Sequence, residues 1–368
     1  MGKKILFITP GKPTGGSELL LANIVNATDT RNNDVMLVRV GASAVDDISY
    51  QDGVQCRNIW TRHRLDPSSI MELRRVFRDH RPQVVFCANY ALFVWARMAS
   101  VGLRLSCRYL ITWHDDKEVP RYARVWYRLL TMLMSRRDEL IMTTKRQVEH
   151  HARIDPTREG RVRIIRNGVD NQYWSPAPAR FDRSAVRARL GVPDEAKLII
   201  MTAALRAEYD HKAAVAALRV LCLDLQVDAH LLFVGTGVEN GRIRLSAMNS
   251  GVKKRIHFLG FVRDLRELYW SSDMITLTAQ SAEIFPKQTL EGMSCGLPVV
   301  ATDRSGVAEF IEDGVNGFLS SSNPHDIAVK WHKTLRKSFS TKSIHQGMKK
   351  KVNLGRMTRE YREALGVN

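Results

Sequence analysis

Short runs of consecutive apolar residues alternate along the chain with longer stretches where apolar and polar residues mix at helical spacing. The runs Ile5–Thr9, Val35–Val40, Val84–Cys87, Tyr109–Trp113 and Leu140–Thr143 predict five strands in the first half. Leu198–Thr202, Leu231–Val234, Ile256–Phe258, Met274–Leu277 and Val299–Ala301 predict five more in the second. A strand that is apolar without interruption is buried on both faces. Alternation of such strands with helices therefore predicts parallel sheets covered by helices on both sides, an α/β architecture. The strand series restarts near Leu198. Between the halves, Asn167-Gly168-Val169-Asp170-Asn171 and Trp174-Ser175-Pro176-Ala177-Pro178 carry turn and linker signals, so a domain boundary is expected near residue 175. Ligands of open α/β sheets bind at the carboxyl ends of the strands, which is where candidate chemistry should gather.

Composition adds class and charge. With 368 residues the chain is long enough for two cores, and 44% hydrophobic with 26% charged residues is a globular balance. Lys and Arg number 56 against 38 Asp and Glu, a formal charge of +18 and a pI near 9.9. Such a surplus points to an anionic partner, whether nucleic acid, a phospholipid surface or a diphosphate-bearing substrate. The five cysteines (Cys56, Cys87, Cys107, Cys222, Cys295) form no C-x-x-C pair and have no His at ligand spacing, so they read as reduced core thiols of a cytoplasmic protein without a structural metal. The basic opening has too short an apolar stretch for a signal peptide, and Leu6 stands where a myristoylation motif wants Ser or Thr. The best apolar run, around Phe86–Trp95, is interrupted by Arg97 before it reaches spanning length.

The densest chemistry lies in Ser281–Thr302, directly after the strand Met274–Leu277. Pro286 suits the first turn of a helix, and Cys295-Gly296-Leu297-Pro298 supplies a glycine stop with proline beyond it. Glu283 then sits in the loop before the helix, and Glu291 about five residues into it, a rise of roughly 7–8 Å. Two carboxylates so placed suit the hydroxyls at the two ends of an elongated ligand, such as a sugar and a ribose. The first-turn amides between them face a diphosphate. Glu291 reads equally as a surface helix residue. Earlier, Gly15-Gly16-Ser17-Glu18 follows the first strand and opens a helix, either as an anion-binding turn or as a plain strand-to-helix connection.

The E-x7-E pair Glu283/Glu291, together with "CGLPVVAT" and "EFIEDGVNGFL", closely resembles the retaining GT-B glycosyltransferases of family 4. "GGSELLLANIV" resembles the family's glycine loop, Trp113-His114-Asp115 its His-Asp segment and "IIRNGVD…WSP" its linker. "ALRAEYDHK" resembles the donor-phosphate segment, "FVGTG" and "HFLGFV" the next two strands, and "RMTREYREAL" the last helix, which crosses back to the first domain. The resemblance implies two facing Rossmann-like doubly wound domains with a cleft between them: an acceptor-side domain over 1–175, a nucleotide-sugar-binding domain over 176–348, and the crossing helix over 349–368.

It also implies roles. Arg206 and Lys212 match the basic pair that holds the donor diphosphate and stabilises the leaving group. Glu283 would contact donor-sugar hydroxyls, Glu291 the ribose, and His114 the donor sugar near the reacting carbon. Gly15 and Gly16 would line phosphates and acceptor, Gly235, Gly237 and Val262 the ledge beneath the nucleoside, and Phe285, Pro286 and Lys287 the donor turn between the two glutamates. The implied reaction moves a hexose from a nucleotide sugar, UDP-linked or GDP-linked, to a glycan or lipid-linked acceptor of bacterial lipopolysaccharide or surface polysaccharide. Anomeric configuration is retained by front-face substitution, with no metal or other cofactor, since Arg and Lys take a divalent ion's role. Two departures bear on donor identity and phosphate geometry: Glu283-Ile284-Phe285-Pro286 replaces the frequent E-G-F-G, and Ala213 follows the lysine where glycine is common.

The basic surplus has local concentrations. Arg121, Arg124, Arg128, Arg136 and Arg137 interleave with apolar and aromatic residues, with no acid until Asp138. A helix of that pattern either rests on an anionic membrane face as a peripheral contact or is a core helix with solvated arginines at its edges. Lys330–Arg359, likewise free of acids, reads as a solvated helical face. Two other classes suit parts of the sequence. A basic nucleic-acid binder would account for the pI, but no zinc-finger, RRM or KH signature is present and no nucleic-acid partner is expected. A non-catalytic nucleotide binder or a phosphorylase would share the scaffold.

Overall fold

The structure is a computed structural model that describes residues 2–11, 16–41, 48–61, 66–112, 132–154, 161–279, 287–304 and 306–367. The chain divides into two units, Met1–Asn167 with Gly355–Asn368, and Gly168–Leu354. The first contains β1 (Lys4–Pro10), β2 (Asp34–Val40), β3 (Val54–Ile59), β4 (Val84–Cys87), β5 (Arg108–Thr112), β6 (Glu139–Met142) and β7 (Val162–Ile164). They pair in the order β3-β2-β1-β4-β5-β6-β7, all parallel. The second contains β8 (Lys197–Thr202), β9 (Ala229–Val234), β10 (Ile256–Gly260), β11 (Met274–Leu277), β12 (Val299–Thr302) and β13 (Gly317–Ser320). Their order is β10-β9-β8-β11-β12-β13, again parallel.

Each predicted apolar run falls on one of these strands, apart from Trp113, which lies outside the described residues, and the cores explain why the runs are continuous. Side chains alternate across a strand. Leu198 and Ile200 of β8 therefore enter one core with Leu232 and Val234 of β9, while Ile199 and Met201 enter the other with Leu231 and Phe233. Both faces are covered, so the runs Leu198–Met201 and Leu231–Val234 are apolar throughout, while the buried Thr202 and His230 sit near the strand ends with hydrogen-bond partners. Each such side chain contributes about 1.5–3 kcal/mol on burial. Trp331 is fully buried in the second of these cores, where its indole N–H donates to Thr276 Oγ1 at 2.9 Å. The first unit follows the same rule on β1, with Leu6 and Ile8 in one core and Phe7 against Phe86 on the opposite face.

The last helix, Leu354–Leu365, covers that opposite face: the Tyr361 ring meets Phe86 edge-on at 6.0 Å. It therefore belongs to the first unit although it ends the chain. The crossing segment starts later than residue 349, because Lys349–Lys351 close the preceding helix Thr341–Lys351. The division between units falls after Asn167 and not near 175. Val169 bridges to Asn353, and Asn171 Nδ2 donates to Ser294 Oγ at 3.1 Å, so this stretch of the linker is already tied into the second unit.

Other expectations need correction. The turn signals of Ser135 and Asp138 end any helix before Arg136. Asp138 N donates to Ser135 O at 3.2 Å and Arg137 N to Ser135 Oγ at 3.3 Å, which places Arg136 and Arg137 in a turn that leads into β6. Arg121, Arg124 and Arg128 lie outside the described residues. The acid-free segment Lys330–Arg359 is not one face but parts of three helices. Cys87 and Cys295 are buried thiols as expected, whereas Cys56 is exposed on the edge strand β3. No helix among the described residues is long and apolar enough to cross a membrane.

Candidate functional site

In the second sheet the winding reverses at β8, which has β9 on one side and β11 on the other. Connections leaving the carboxyl ends of β8 and β11 diverge to opposite sides, and the crevice between them is where a doubly wound sheet receives a ligand. The β8 connection carries Arg206 and Lys212; the β11 connection leads into the helix Lys287–Ser294, with Lys287 at its start and Glu291 in its second turn. The two connections are fastened together, since the Thr278 hydroxyl lies 2.9 Å from both the Tyr209 and Asp210 carbonyls. Thr278 escaped sequence reading because a threonine ending a strand carries no distinctive signal.

Asp210 fixes the basic side of the crevice. It adopts a left-handed conformation (φ 45°), uncommon for a residue other than glycine, and caps the helix His211–Arg219 by accepting from Ala213 N at 3.2 Å. Lys212 is thereby held in the first turn of that helix, at its positive end. Arg206 precedes the short 3-10 turn Ala207–Tyr209. Both side chains are exposed and have no hydrogen-bond or ion-pair partner among the described residues. A surface cation is usually solvated, but two of them beside a helix start at a winding reversal form a charged ledge open to an anion.

Beside this ledge, the loop after β9 packs closely on the loop after β8. Gly235 has φ +148°, and a Cβ there would lie 2.1 Å from Ala203 O; at Gly237 it would lie 2.3 Å from Leu205 O. Leu205 N donates to Thr236 O at 2.9 Å and Glu239 N to Leu205 O at 3.0 Å. The glycines are thus required by loop-to-loop contact in the protein itself. Gly235 N also donates to Gly260 O at 2.8 Å, which brings in the loop after β10, where Val262 packs partly buried on the core. Gly237→Ala is expected to cost about 1–3 kcal/mol through overpacking, read as a lower urea midpoint; a midpoint equal to the parent's would show that the two loops are not held together as described.

The acidic side is not a solvated helix face. Glu291 is only 6% exposed, so the surface alternative for it is excluded. Burial raises its carboxyl pKa, opposed by the Lys287 ammonium, whose Nζ lies 3.4 Å from Oε1. Tyr269 shares this environment: its hydroxyl donates to Gln288 O at 2.8 Å and lies 3.2 Å from Thr202 Oγ1. The helix Lys287–Ser294 ends as the sequence indicated, with Gly296 N bonded to Met293 O at 2.9 Å and Leu297 N to Gly292 O at 3.2 Å. A buried carboxylate held by one lysine among the described residues retains acceptor capacity that suits paired hydroxyls.

The structure therefore brings Arg206, Lys212, Gly235, Gly237, Val262, Lys287 and Glu291 to one edge of one sheet. Gly16 opens the helix Gly16–Asn26 after β1, at the winding reversal of the first sheet. Gly15, His114, Glu283, Phe285 and Pro286 lie outside the described residues.

Two family models cover the chain in succession: Glycosyltransferase Family 4 over residues 14–173 and Glycosyl transferases group 1 over residues 182–351. Among curated relatives, the EpsD protein of Bacillus subtilis is 24% identical over 266 residues, 70% of this chain and 69% of that protein. A D-inositol 3-phosphate glycosyltransferase of Geodermatophilus obscurus is 31% identical over 206 residues, 52% of this chain and 44% of its own length. Among solved structures, Anabaena Alr3699/HepE in complex with UDP and glucose superposes with a TM-score of 0.82 over 99% of both chains at 20% identity.

Proposed function

The chain belongs to the glycosyltransferases of the group 1/family 4 type, with a GT-B fold, and from that premise we propose that it moves a hexose from a UDP-sugar to a hydroxyl of a glycan or lipid-linked acceptor, with retention of anomeric configuration, in the synthesis of a bacterial surface polysaccharide. The observation that carries the reading is the placement of two cations without a partner among the described residues, and of one buried carboxylate, on the connections that leave β8 and β11. Arg206 and Lys212 meet the donor diphosphate, and Glu291 accepts from the ribose hydroxyls. Breaking the sugar–phosphate bond leaves a nucleoside diphosphate with one more negative charge on its terminal phosphate. Donors fixed before the reaction stabilise that charge without reorganising. His114 and Glu283 act on the sugar end of the donor, and the leaving phosphate helps take the acceptor's proton. UDP is favoured over GDP because a similar fold binds UDP and glucose in HepE. Peripheral membrane contact through the basic segment Arg121–Arg137 would bring the enzyme to a lipid-linked acceptor.

Thermal denaturation in the presence of UDP, GDP, ADP and dTDP tests the donor assignment. A nucleotide present at about a hundred times its dissociation constant stabilises the folded chain by about 2.7 kcal/mol, and UDP is expected to give the largest rise in Tm. A larger rise with GDP would replace UDP by a GDP-sugar, and no rise with any nucleotide would remove the donor site.

A further inference from the structure

The first unit has a concavity at the amino ends of its strands, the end opposite to the one from which the connections at its winding reversal leave. A cavity of about 520 Å³ opens where β5, β6 and β7 begin. Arg108 starts β5, Glu139 starts β6, and Arg161 and Arg163 flank the first residue of β7. Arg136 and Arg137 complete the wall from the turn before β6, beside the buried Asp138.

Five arginines against two acids is already lopsided, and the pairing makes it more so. Asp138 is neutralised from outside the cavity by Arg97, and accepts from Tyr109 N at 2.9 Å and Ser135 N at 2.6 Å. Glu139 serves two guanidiniums at once, Arg108 at 3.2 Å and Arg163 at 3.0 Å. Arg136, Arg137 and Arg161 have no acidic partner among the described residues. Arg137 donates to Ser106 Oγ at 2.9 Å and Arg161 to Ser135 O at 3.0 Å, both neutral acceptors. The Nε of Arg108 is buried without an acceptor among the described residues. A guanidinium has five N–H donors, so the wall holds far more donors than the protein satisfies. Like charges gathered this closely repel unless an anion joins them. The planar fork of arginine matches two oxygens of one phosphate, and no lysine lines the cavity. At about 30 Å³ per water, the space takes a ligand much larger than one simple ion.

We infer that this cavity binds a phosphate-type polyanion carrying at least two phosphate groups, at a site separate from the nucleotide-sugar edge. Two sources share that chemistry. A free oligophosphate fills the cavity from solution. A lipid headgroup with two phosphates reaches it at a membrane surface, for which the exposed Met132 and Leu133, just before the arginine turn, provide apolar contacts.

Titration calorimetry of the full chain with inorganic tripolyphosphate tests the site, in an Arg206→Ala/Lys212→Ala background that silences the other phosphate-binding candidate. One site is expected to remain. Arg136→Glu/Arg137→Glu should weaken it at least tenfold, and the milder Arg161→Gln about threefold or more. Circular dichroism and Tm identify variants that stay folded. Affinity within twofold of the background in both folded variants, or no tripolyphosphate binding and no vesicle binding in the background, overturns the inference. Sedimentation with phosphatidylcholine vesicles containing cardiolipin separates the sources. Vesicle binding that tripolyphosphate displaces and the arginine variants lose supports the headgroup. Tripolyphosphate binding without vesicle binding supports the free anion.

Discussion

Arg206→Ala is expected to lower kcat/KM for nucleotide release from the donor sugar by about 10²–10³-fold, corresponding to about 2.7–4 kcal/mol of lost transition-state stabilisation. Lys212→Ala should fall in the same range. The loss should lie mainly in kcat, because charge on the leaving diphosphate grows as the bond breaks and the cations interact more strongly with the transition state than with the bound donor. Stability should hardly change. Both side chains are exposed and partnerless among the described residues, so their removal breaks no internal contact. This separates the functional role from a structural one: equal Tm with strongly reduced turnover supports it. Activity within twofold of the parent for both variants would return these residues to ordinary surface charge. The double variant should cost less than the sum of the singles, since both act on the same phosphates.

How much of this was legible in the sequence depends on what each residue's surroundings demand. Strands buried on both faces announce themselves, as β4 and the run Leu231–Val234 of β9 do, because every residue of these runs is apolar. β3 (Val-Gln-Cys-Arg-Asn-Ile) was not legible. It lies at the sheet edge with its middle residues exposed, and its apolar content reduces to its ends. β7 and β13 are short edge strands of three and four residues, too brief for periodicity to register. The expected helix through Arg137 failed because composition there is amphipathic, while Ser135 and Asp138 bond locally to the backbone and turn the chain.

At the site, residue type and order located the charged groups but not their environments. Spacing left Glu291 undecided between cleft and surface; only the packing of its helix buries it beside Lys287. Gly235 and Gly237 stood out in the sequence as part of a nucleoside ledge, and the structure adds that the neighbouring carbonyls leave no room for a Cβ. The fastening by Thr278 joins residues about seventy positions apart, a relation no local pattern encodes. The arginine cavity is equally non-local: its members come from three strand starts separated by more than twenty residues each, and along the chain they register only as net charge.

Acid should destabilise the second unit through His211, next to the site. This imidazole is 2% exposed, packs between the rings of Tyr209 at 6.1 Å and Phe233 at 5.2 Å, and neither ring nitrogen has a hydrogen-bond partner among the described residues. Burial lowers its pKa to about 4 from the usual 6.5. The unfolded chain therefore takes up a proton below pH 6.5 that the folded chain refuses until about pH 4. Stability from this group is fully present above 6.5, declines as pH falls, and levels off below about 4, a loss of about 3 kcal/mol across the window. His230 acts in the same direction: burial and the neighbouring His257, 2.8 Å away, lower its pKa to about 4 as well. Glu291 opposes them, because a carboxyl whose pKa is raised in the folded state favours folding as the medium becomes acidic. Self-repulsion of a chain with charge +18 also grows in acid. Comparison with His211→Leu cancels these three background effects, since the substitution removes one titrating group and keeps the site apolar. Urea unfolding free energies at pH 7 and pH 4.5 should fall by about 2–3 kcal/mol more in the parent than in His211→Leu. Parallel declines in the two proteins would mean that His211 reaches water or a partner in the folded state, and that the start of the helix carrying Lys212 is more open than its packing against Phe233 requires.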